Sequence, residues 1–453
     1  MRKLPEIRTE LPGLKGSALE ERRKKVFGKA WNEERILPVW VKKGEGCIIE
    51  DVDGNTFLDF MASDYNLGPS HPDVVKAIQD QVQDLILCLE PVGLWESILD
   101  FSEELLKLSP GELKNGKIVT ATGGSEIVDF AVMTARQVTR KPLLLSYLGG
   151  YHGTTSAVMH YTTKDSRLRR GIFPSIAENV FLPYPYCYRC PLNCEYPGCD
   201  FACIDYLKYT LDTVAHPDEV AALLFESIQT PAGFVIPPEG YWPKVKKVCD
   251  ENGIMMIADE IITSMWRTGT MYSFEHWDVV PDIVCLGKSL AMGAPLSAFV
   301  AKKDIVDNVY NPHGPGSAAA VSFGGNPIGI AAALAGFKVV KRDKLAENSI
   351  KRGEQFKKGF EDLKDEYEQV GEIRSMGLLN GIELVEDSKT KKPAIKEARE
   401  IVLESYKNGL IMGTYGVYNN VLRFFPPLTV EEEQIEKALE ILQGAFKKVL
   451  KKE

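Results

Sequence analysis

The stretch from residue 254 to residue 301 reads IMMIADEIITSMWRTGTMYSFEHWDVVPDIVCLGKSLAMGAPLSAFVA. Its first apolar run, 254–258, has the length of a strand buried on both faces of a parallel sheet, and Asp259 follows directly. A second apolar run, 283–286, is followed after one glycine by Lys288. Because open α/β sheets bind ligands at the carboxyl ends of their strands, the sequence predicts an acid and an amine at one ligand site.

The Asp259 and Lys288 pair allows two interpretations. A buried carboxylate and a buried amine can form a simple ion pair, which offsets the cost of burying either charge. The same pair is also what pyridoxal phosphate (PLP) chemistry requires. A lysine holds the cofactor as a Schiff base, and an aspartate keeps its pyridine nitrogen protonated.

Three segments of this stretch carry a resemblance to a known family: IADEIITSMWRTG, PDIVCLGKSL and GAPLSAFVA. Together they resemble the class III, or ω-, aminotransferases, which are fold-type I PLP enzymes. The resemblance extends over about residues 35 to 445. It implies that Lys288 carries the cofactor and that Asp259 meets the ring nitrogen.

Composition excludes several other classes of function. The 453 residues are 44% hydrophobic and carry a net charge of −9, which disfavours nucleic acid as a partner. The opening sequence MRKLPEIRTELPG is charged, and no apolar run is long enough to span a membrane. We expect a cytoplasmic protein with a small-molecule substrate.

Five of the nine cysteines cluster in the segment YPYCYRCPLNCEYPGCDFAC. They are Cys187, Cys190, Cys194, Cys199 and Cys203. This spacing is compatible with zinc or an iron–sulfur cluster, but an insertion of packed free thiols explains it as well. We predict no metal and keep the five thiols as weak candidate ligands.

An anion site is predicted where a strand, 117–121, meets the helix that follows it. The turn between them contains Gly124 and Ser125, whose backbone N–H groups and hydroxyl suit a phosphate. A plain capped helix start is the alternative. The resemblance implies that these two residues bind the PLP phosphate. It also implies that Tyr151, in a YHG-type motif, stacks on the pyridine ring, whereas His152 is expected to be structural.

The resemblance implies further residues around the cofactor. Glu226 belongs to a Glu-Pro-[Val/Ile]-Gln signature in which Ser227 replaces the proline of the family. Ile261 is expected to sandwich the ring together with Tyr151. Ile262 stands near the phenol oxygen of the cofactor, where many relatives have Gln. Ser322 replaces the Thr of an S-T-F-G-G-N-P loop that reaches the phosphate of the neighbouring subunit, so we expect a homodimer or a dimer of dimers.

Substrate recognition is expected to involve Arg423 and Trp266. The arginine lies in VLRFFPPL, which resembles a family segment whose arginine binds a substrate carboxylate; a surface arginine on a strand is the alternative. Trp266 stands where relatives have small glycines. After Gln229 the chain has Thr230 and Pro231, and it therefore lacks the carboxylate with which glutamate-specific relatives pair their arginine.

Alternating strands and helices from about residue 70 to residue 320 predict an α/β fold with a doubly wound, mainly parallel sheet. The resemblance implies a PLP-binding large domain over 70–330. A smaller α+β domain is expected from both chain ends, with 1–69 forming an arm and part of it and 331–453 the remainder.

The implied reaction is transamination, in which an ω-amino acid, β-amino acyl derivative or amine gives its amino group to a 2-oxo acid. A PLP-dependent racemase or epimerase of the same family is the first alternative, because such enzymes share the cofactor residues. The second alternative is a non-catalytic metal- or cofactor-binding protein that uses the cysteine cluster.

Overall fold

The computed structural model describes residues 4–28, 37–88, 93–171, 179–311 and 321–450. The α-helices of these ranges are α1 (Leu14–Val26), α2 (Pro72–Asp84), α3 (Glu96–Lys107), α4 (Gly124–Thr139), α5 (Ser156–Met159), α6 (Ala202–Thr213), α7 (Tyr241–Glu251), α8 (Lys303–Val309), α9 (Pro327–Arg342), α10 (Leu345–Glu366), α11 (Ile395–Lys407) and α12 (Glu432–Leu450). The strands are β1 (Val41–Glu45), β2 (Ile48–Asp51), β3 (Thr56–Asp59), β4 (Lys117–Ala121), β5 (Leu143–Tyr147), β6 (Asn179–Leu182), β7 (Val220–Phe225), β8 (Met255–Asp259), β9 (Ile283–Leu286), β10 (Ser297–Ala301), β11 (Val370–Met376), β12 (Leu379–Leu384), β13 (Leu410–Ile411), β14 (Gly413–Tyr415) and β15 (Val421–Phe424).

The chain forms two compact units. One unit comprises residues 73–266 and 270–339, and the other comprises 1–72, 267–269 and 340–453. The second unit is therefore built from both chain ends.

In the first unit, seven described strands form one sheet in the order β4-β10-β9-β8-β7-β5-β6. All neighbouring pairs are parallel except the two made by β10, which runs antiparallel to both β4 and β9. The sheet is thus mainly parallel, as the sequence predicts.

The central strands are buried on both faces. Every residue of β7 and β9 is buried, and so are four of the five residues of β8. One core cluster joins these strands to α4 through Ile127, Val128 and Ala131. Continuous apolar strands of this kind require helices on both faces of the sheet, which is why the pattern is not alternating.

The second unit contains two smaller sheets among its described strands, ordered β1-β2-β3-β13 and β11-β12-β15-β14. The first is antiparallel apart from the β13–β3 pair, and the second is antiparallel throughout. Phe57 and Tyr406 stack in the core beneath the first sheet, with ring centroids 5.5 Å apart.

The segment SALEERRKKVFGKAW, residues 17–31, predicts an N-terminal helix that opens with Ser17 as its cap, and the observed start of this helix differs. It begins at Leu14, and the Asp53 carboxylate accepts hydrogen bonds from the backbone N–H groups of Lys15 and Gly16. A residue distant in sequence therefore does the capping, which local pattern alone cannot reveal. The predicted end of this helix at Trp31 lies outside the described residues. None of the described helices is long and apolar enough to cross a membrane.

Candidate active site

The candidate site lies at the carboxyl ends of the parallel strands in the first unit. Phe225 of β7 is paired with Ala258 of β8, and Asp259 is paired with Cys285 of β9. Glu226 and Asp259 therefore leave neighbouring strands at the same level, and Lys288 follows three residues after Cys285. This register places the predicted acid and amine at one edge of the sheet.

Lys288 has an unusual backbone conformation. It starts a short 3₁₀ turn, Lys288–Ala291, with φ of 44° after an extended Gly287. A left-handed conformation costs a residue with a side chain on the order of 1 kcal/mol, and such strain concentrates at functional sites. The turn keeps the half-buried lysine at the edge of the sheet instead of letting it continue along β9.

Asp259 is almost completely buried, with 6% of its surface exposed. One carboxylate oxygen accepts the backbone N–H of Ile261 at 3.2 Å, and the other lies 2.8 Å from Nδ1 of His152. Burial alone would lower the pKa of His152, but the hydrogen bond and charge of Asp259, together with the charge of Glu226, raise it. The contact with Asp259 therefore favours the protonated form of His152, which would offset the charge of this buried carboxylate.

Glu226 connects two loops at the same edge. Its carboxylate accepts the backbone N–H of Tyr151 at 2.9 Å and that of Thr230 at 3.3 Å. Burial raises its pKa to about 7, against the favourable charge of His152. The contacts show an anchor for the loop that carries Tyr151, and the predicted direct contact of Glu226 with a cofactor stays a prediction.

The start of α4 has the features of an anion site. Glu126 turns back and accepts the backbone N–H groups of Thr122 and Gly123 at 3.1 and 3.0 Å. The N–H groups of Gly124 and Ser125 have no hydrogen-bond partner among the described residues. Two donors at the positive end of a 16-residue helix thus remain available, beside the Ser125 hydroxyl.

The loop containing Gly153 closes over this helix start. Thr154 donates its backbone N–H to Oγ of Ser125 at 3.2 Å. A Cβ at Gly153, whose φ is 136°, would lie 2.2 Å from the same oxygen. Only glycine therefore allows this loop to approach the serine hydroxyl so closely.

The side chain of Ile261 contacts both the predicted phosphate-binding turn and the segment that precedes Lys288. A Cβ added at Gly124 would lie 3.0 Å from Cδ1 of Ile261, and one added at Gly287 would lie 3.4 Å from its Cγ2. The side chain thus packs between the start of α4 and the residue before Lys288. Ile262 is half-buried beside it.

A second buried carboxylate lies next to Asp259, where the apolar run of the sequence ends; the sequence does not reveal its partners. Glu260 is fully buried and accepts hydrogen bonds from the hydroxyls of Ser227, Thr263 and Ser273 at 2.7, 2.7 and 2.5 Å. Backbone N–H groups of Ser273 and Phe274 complete the set at 2.9 and 3.3 Å. Ser227, the departure from the family proline, is one of these donors.

Trp266 follows Met265 in a turn in which both residues are left-handed, with φ of 60° and 57°. Its indole packs edge-on against Phe337, with ring centroids 6.0 Å apart. The positive φ accounts for the glycines that relatives use in this turn, because glycine adopts it without strain. Its predicted contact with substrate stays a prediction.

Ser322 is exposed and precedes Phe323, of which 58% is exposed. Val321 packs against the core cluster, and its carbonyl accepts the N–H of Gly324 at 3.0 Å. Part of the predicted loop, 312–320, lies outside the described residues. The predicted contact of Ser322 with the phosphate in a neighbouring subunit stays a prediction.

Arg423 belongs to the second unit, where it lies on β15 and is 4% exposed. Its guanidinium lies over the rings of Tyr415 and Phe425, at 4.3 and 4.9 Å from their centroids. Nε and one terminal nitrogen are buried without a hydrogen-bond partner among the described residues. An uncompensated donor pair of this kind suits a carboxylate.

Arg267, in the same unit, has a different environment. It is fully buried and donates to the carbonyl oxygens of Leu378, Pro426 and Ala62, and to the side chain of Asn66. Burial lowers its pKa to about 9, and the charge of Arg423 adds to this effect. Its polar contacts are structural, which leaves Arg423 as the better candidate for substrate.

The five clustered cysteines are free thiols that line a cavity of about 20 Å³. In the part of the chain that the structure describes, no three His, Cys, Asp or Glu side chains are arranged to hold a metal ion. Burial raises the pKa of Cys203 to about 12, with contributions from Cys187, Cys199 and Cys190. The expected absence of a metal stays a prediction.

The residues at the sheet edge fit PLP. The free N–H groups and hydroxyl at the start of α4 suit a phosphate, and the close approach of Gly153 shapes that pocket. Asp259, fixed at one oxygen by a backbone N–H, suits a protonated ring nitrogen. Lys288 leaves the adjoining strand and would supply the amine.

Comparison with known proteins gives concordant results. The family model "Aminotransferase class-III" matches residues 30–446. A leucine/methionine racemase of Thermococcus litoralis is 35% identical over 94% of this chain and 94% of its own. A probable 4-aminobutyrate aminotransferase of Bacillus subtilis is 33% identical over 92% and 94%. The structure of a PLP-bound amine transaminase from an uncultivated Pseudomonas species is similar with a TM-score of 0.86, at 29% identity over 94% and 98% of the two chains.

Proposed function

Because the chain belongs to the class III aminotransferases, PLP-dependent enzymes of fold type I, we propose that it moves an amino group from an ω-amino acid, a β-amino acyl derivative or an amine to a 2-oxo acid. The observation that carries this proposal is the register that brings the buried Asp259 and the left-handed Lys288 to one edge of the sheet. A purely structural ion pair would not require a strained backbone at the lysine.

Each residue at the sheet edge has a proposed task. Bound PLP supplies an aldehyde carbon that reacts with amines and a ring that withdraws electrons. The Lys288 amine holds the cofactor and then moves the substrate proton as general base and acid. Asp259, fixed by Ile261 and His152, holds a proton at the ring nitrogen. The free N–H groups of Gly124 and Ser125 bind the phosphate.

The side chains of Tyr151, Ile261 and Ile262 are proposed to enclose the ring. The backbone of Tyr151 is fixed by Glu226, and Ile261 is fixed by its packing against Gly124 and Gly287. Flanking the ring by such fixed groups excludes water and keeps the reacting bond in one orientation.

Arg423 is proposed to bind a substrate carboxylate, and Trp266 to limit the size of the substrate. Supporting the first role are the two unpartnered, buried guanidinium nitrogens. Thr230 and Pro231 supply no carboxylate to pair with this arginine when a substrate lacks an acid. We therefore expect Arg423 to engage the carboxylate of the 2-oxo acid and, where the donor is an ω-amino acid, the carboxylate of the donor as well.

The assembly is proposed to be a homodimer or a dimer of dimers in which Ser322 binds the phosphate of the neighbouring subunit's cofactor. The 70–330 domain would bind PLP, while 1–69 and 331–453 would form the small domain. A cytoplasmic location stays a prediction.

A panel of amino donors, added singly to the PLP-loaded protein without an oxo acid, tests this proposal. We expect ω-amino acids or amines to convert the cofactor and abolish its visible absorption band, and a 2-oxo acid to restore the band. Lys288→Ala is the control that must show neither change. If α-amino acids alone convert the cofactor, the ω assignment is wrong.

A second candidate function is racemisation or epimerisation of an α-amino acid. Its support is the leucine/methionine racemase at 35% identity, since the PLP-binding residues alone do not separate the two activities. Racemisation needs no oxo acid. Exchange of the α-hydrogen in deuterated water, with loss of optical activity and without added oxo acid, would favour it; exchange that leaves optical activity unchanged favours transamination.

A further inference from the structure

Three ionisable side chains lie together at the site edge, and the proposed reaction uses only one of them directly. Asp259 ends β8, while His152 and Glu226 come from the loops after β5 and β7, and their exposed fractions are 6%, 3% and 5%. Only Asp259 is proposed to contact the cofactor. Together the three form a buried carboxylate–imidazole–carboxylate cluster.

The geometry fixes the members of this cluster to one another. Nδ1 of His152 lies 2.8 Å from Asp259, and the backbone N–H of His152 donates to Oγ1 of Thr162 at 3.0 Å. Glu226 holds the preceding residue, Tyr151, by its N–H at 2.9 Å. A Cβ at Gly150 would lie 3.0 Å from Nε2 of His152, so the ring is also confined from the side of its own loop.

The charges of His152 and Asp259 change the pKa of Glu226 in opposite directions. His152 lowers the pKa of Glu226, whereas burial and Asp259 raise it. On the remaining side, Tyr184 after β6 donates its hydroxyl to the carbonyl oxygens of Glu226 and Ser227, both at 3.0 Å. Glu260, after Asp259, is occupied by its own hydroxyl donors. One imidazolium thus serves two carboxylates.

We propose that Glu226 is a positioning residue: as the second carboxylate of this cluster, it keeps the His152 imidazolium paired with Asp259, so that the Asp259 carboxylate stays directed toward a protonated ring nitrogen. This inference rests on the proposed contact of Asp259 with PLP. A neutral His152 would leave the Asp259 carboxylate buried without a charged partner, which is costly. An ionised Glu226 makes the cluster net negative and thereby stabilises a cationic ring.

The proposal also predicts a proton exchange on cofactor binding. A cationic ring nitrogen held at Asp259 adds positive charge to the cluster and lowers the pKa of Glu226. Since this pKa is about 7 in the protein, Glu226 is partly protonated near neutral pH and releases that proton when PLP binds.

Two measurements on the wild type and on Glu226→Gln test the proposal. Gln keeps one acceptor for the Tyr151 N–H but carries no charge. The first measurement is the pH midpoint of the visible absorption band of the PLP-loaded protein, which we expect to fall by about one pH unit in the variant. The second is proton release on PLP binding, measured by calorimetry in buffers of different ionisation enthalpy. We expect the wild type to release about half a proton more than the variant at neutral pH.

Matched variants separate this role from a structural one. Glu275→Gln removes another partly buried carboxylate that accepts a backbone N–H, at 2.7 Å, in the same unit. In a His152→Gln background, Glu226→Gln should shift the pH midpoint by clearly less than it does alone, because only the direct charge of Glu226 is then lost and there is no imidazolium for it to support.

One set of results would overturn the role of Glu226, and another would overturn the underlying contact of Asp259. Shifts in Glu226→Gln no larger than those in Glu275→Gln, or equal shifts with and without His152, overturn the positioning role. If Asp259→Asn also leaves the absorption band and its pH midpoint unchanged, the proposed contact between Asp259 and the ring nitrogen fails instead.

Discussion

At the scale of single residues, the site combines strain with burial. Lys288 holds a left-handed backbone, and Asp259 is buried against one histidine. Both conditions cost free energy of folding, and both persist because the sheet edge fixes the surrounding backbone. Such residues are sensitive to replacement in ways that ordinary core residues are not.

Replacement of Lys288 by Ala is expected to lower activity by at least about 10³-fold, because both the covalent anchor and the proton-transfer group are lost. Turnover with the best donor of the panel is the measurement. Lys302→Ala is the control, since Lys302 pairs with Asp282 at 2.9 Å and with Glu112 at 3.1 Å. Near-normal turnover in Lys288→Ala would contradict the assignment.

Replacement of Trp266 by Gly is expected to raise kcat/KM for a bulky donor relative to a small one by about tenfold, the order expected for a few methylene groups of added space. Glycine also relieves the left-handed strain at this position. An unchanged ratio of kcat/KM values would show that the indole does not border the substrate.

The relative placement of two residues could be predicted from their positions along the chain. Asp259 after one apolar run and Lys288 after the next are readable from spacing, and the strand register confirms that they share an edge. The shell around Glu260 could not be read in this way. Its donors Ser227 and Ser273 come from different loops, and only the tertiary structure brings them to one carboxylate.

At the scale of elements, the start of α4 and the loop around Gly153 together form the proposed phosphate site. The helix directs its capping carboxylate, Glu126, backward and leaves two N–H groups facing outward, while the loop closes over Ser125. We therefore expect the affinity for a phosphate to depend on the distance between the start of α4 and the loop around Gly153.

Gly153→Ala is expected to weaken PLP binding by tenfold or more, about 1.4 kcal/mol or above, because its Cβ would overlap Oγ of Ser125. Titration of the cofactor-free protein with PLP gives the affinity. Gly253→Ala is the matched control: its φ is also positive, at 59°, but a Cβ there meets nothing within 4 Å. Equal losses in the two variants would mean that backbone strain, not the overlap, is responsible.

Elements with strong local patterns were predicted well. The continuous apolar run VAALLF predicts one strand and the segment 371–384 predicts a strand pair, and the structure has strands at 220–225, 370–376 and 379–384. The start of α1 was predicted wrongly because its N–H groups are capped by Asp53. A cap supplied across the tertiary structure leaves no mark in the helix's own sequence.

At the scale of the whole molecule, the buried Glu226 links stability to pH. Its pKa in the folded protein is about 7, above the value near 4.5 of an exposed glutamate. A carboxyl whose pKa is raised by folding stabilises the fold when protonated. That contribution is complete below about pH 4.5 and is lost as the pH rises through about 7.

Relative to Glu226→Gln, the wild type is therefore expected to lose free energy of unfolding between about pH 5 and about pH 8, by an amount on the order of 3 kcal/mol. Urea unfolding of both proteins at several pH values measures the difference. A difference that stays constant, or grows in favour of the wild type as pH rises, would contradict the raised pKa.

The proposed sharing of active sites between subunits is tested by mixing two variants. If each site needs Lys288 from one chain and Ser322 from the other, Lys288→Ala and Ser322→Asp proteins are each inactive. After unfolding and refolding together they should recover about a quarter of normal activity, since half of the dimers would carry one intact site. No recovery, despite dimers seen by sedimentation, would place Ser322 outside the site.

The antiparallel strand β10 has a consequence for how such a protein can diversify. It is inserted between β4, which leads to the turn before α4, and β9, which leads to Lys288. The distance between the ends of those two strands is therefore set by two backbone hydrogen-bond spacings, about 10 Å in all. Side-chain substitutions cannot change that distance, so we expect changes of substrate to come from the loops at the sheet edge, while the spacing between the proposed phosphate site and Lys288 stays constant.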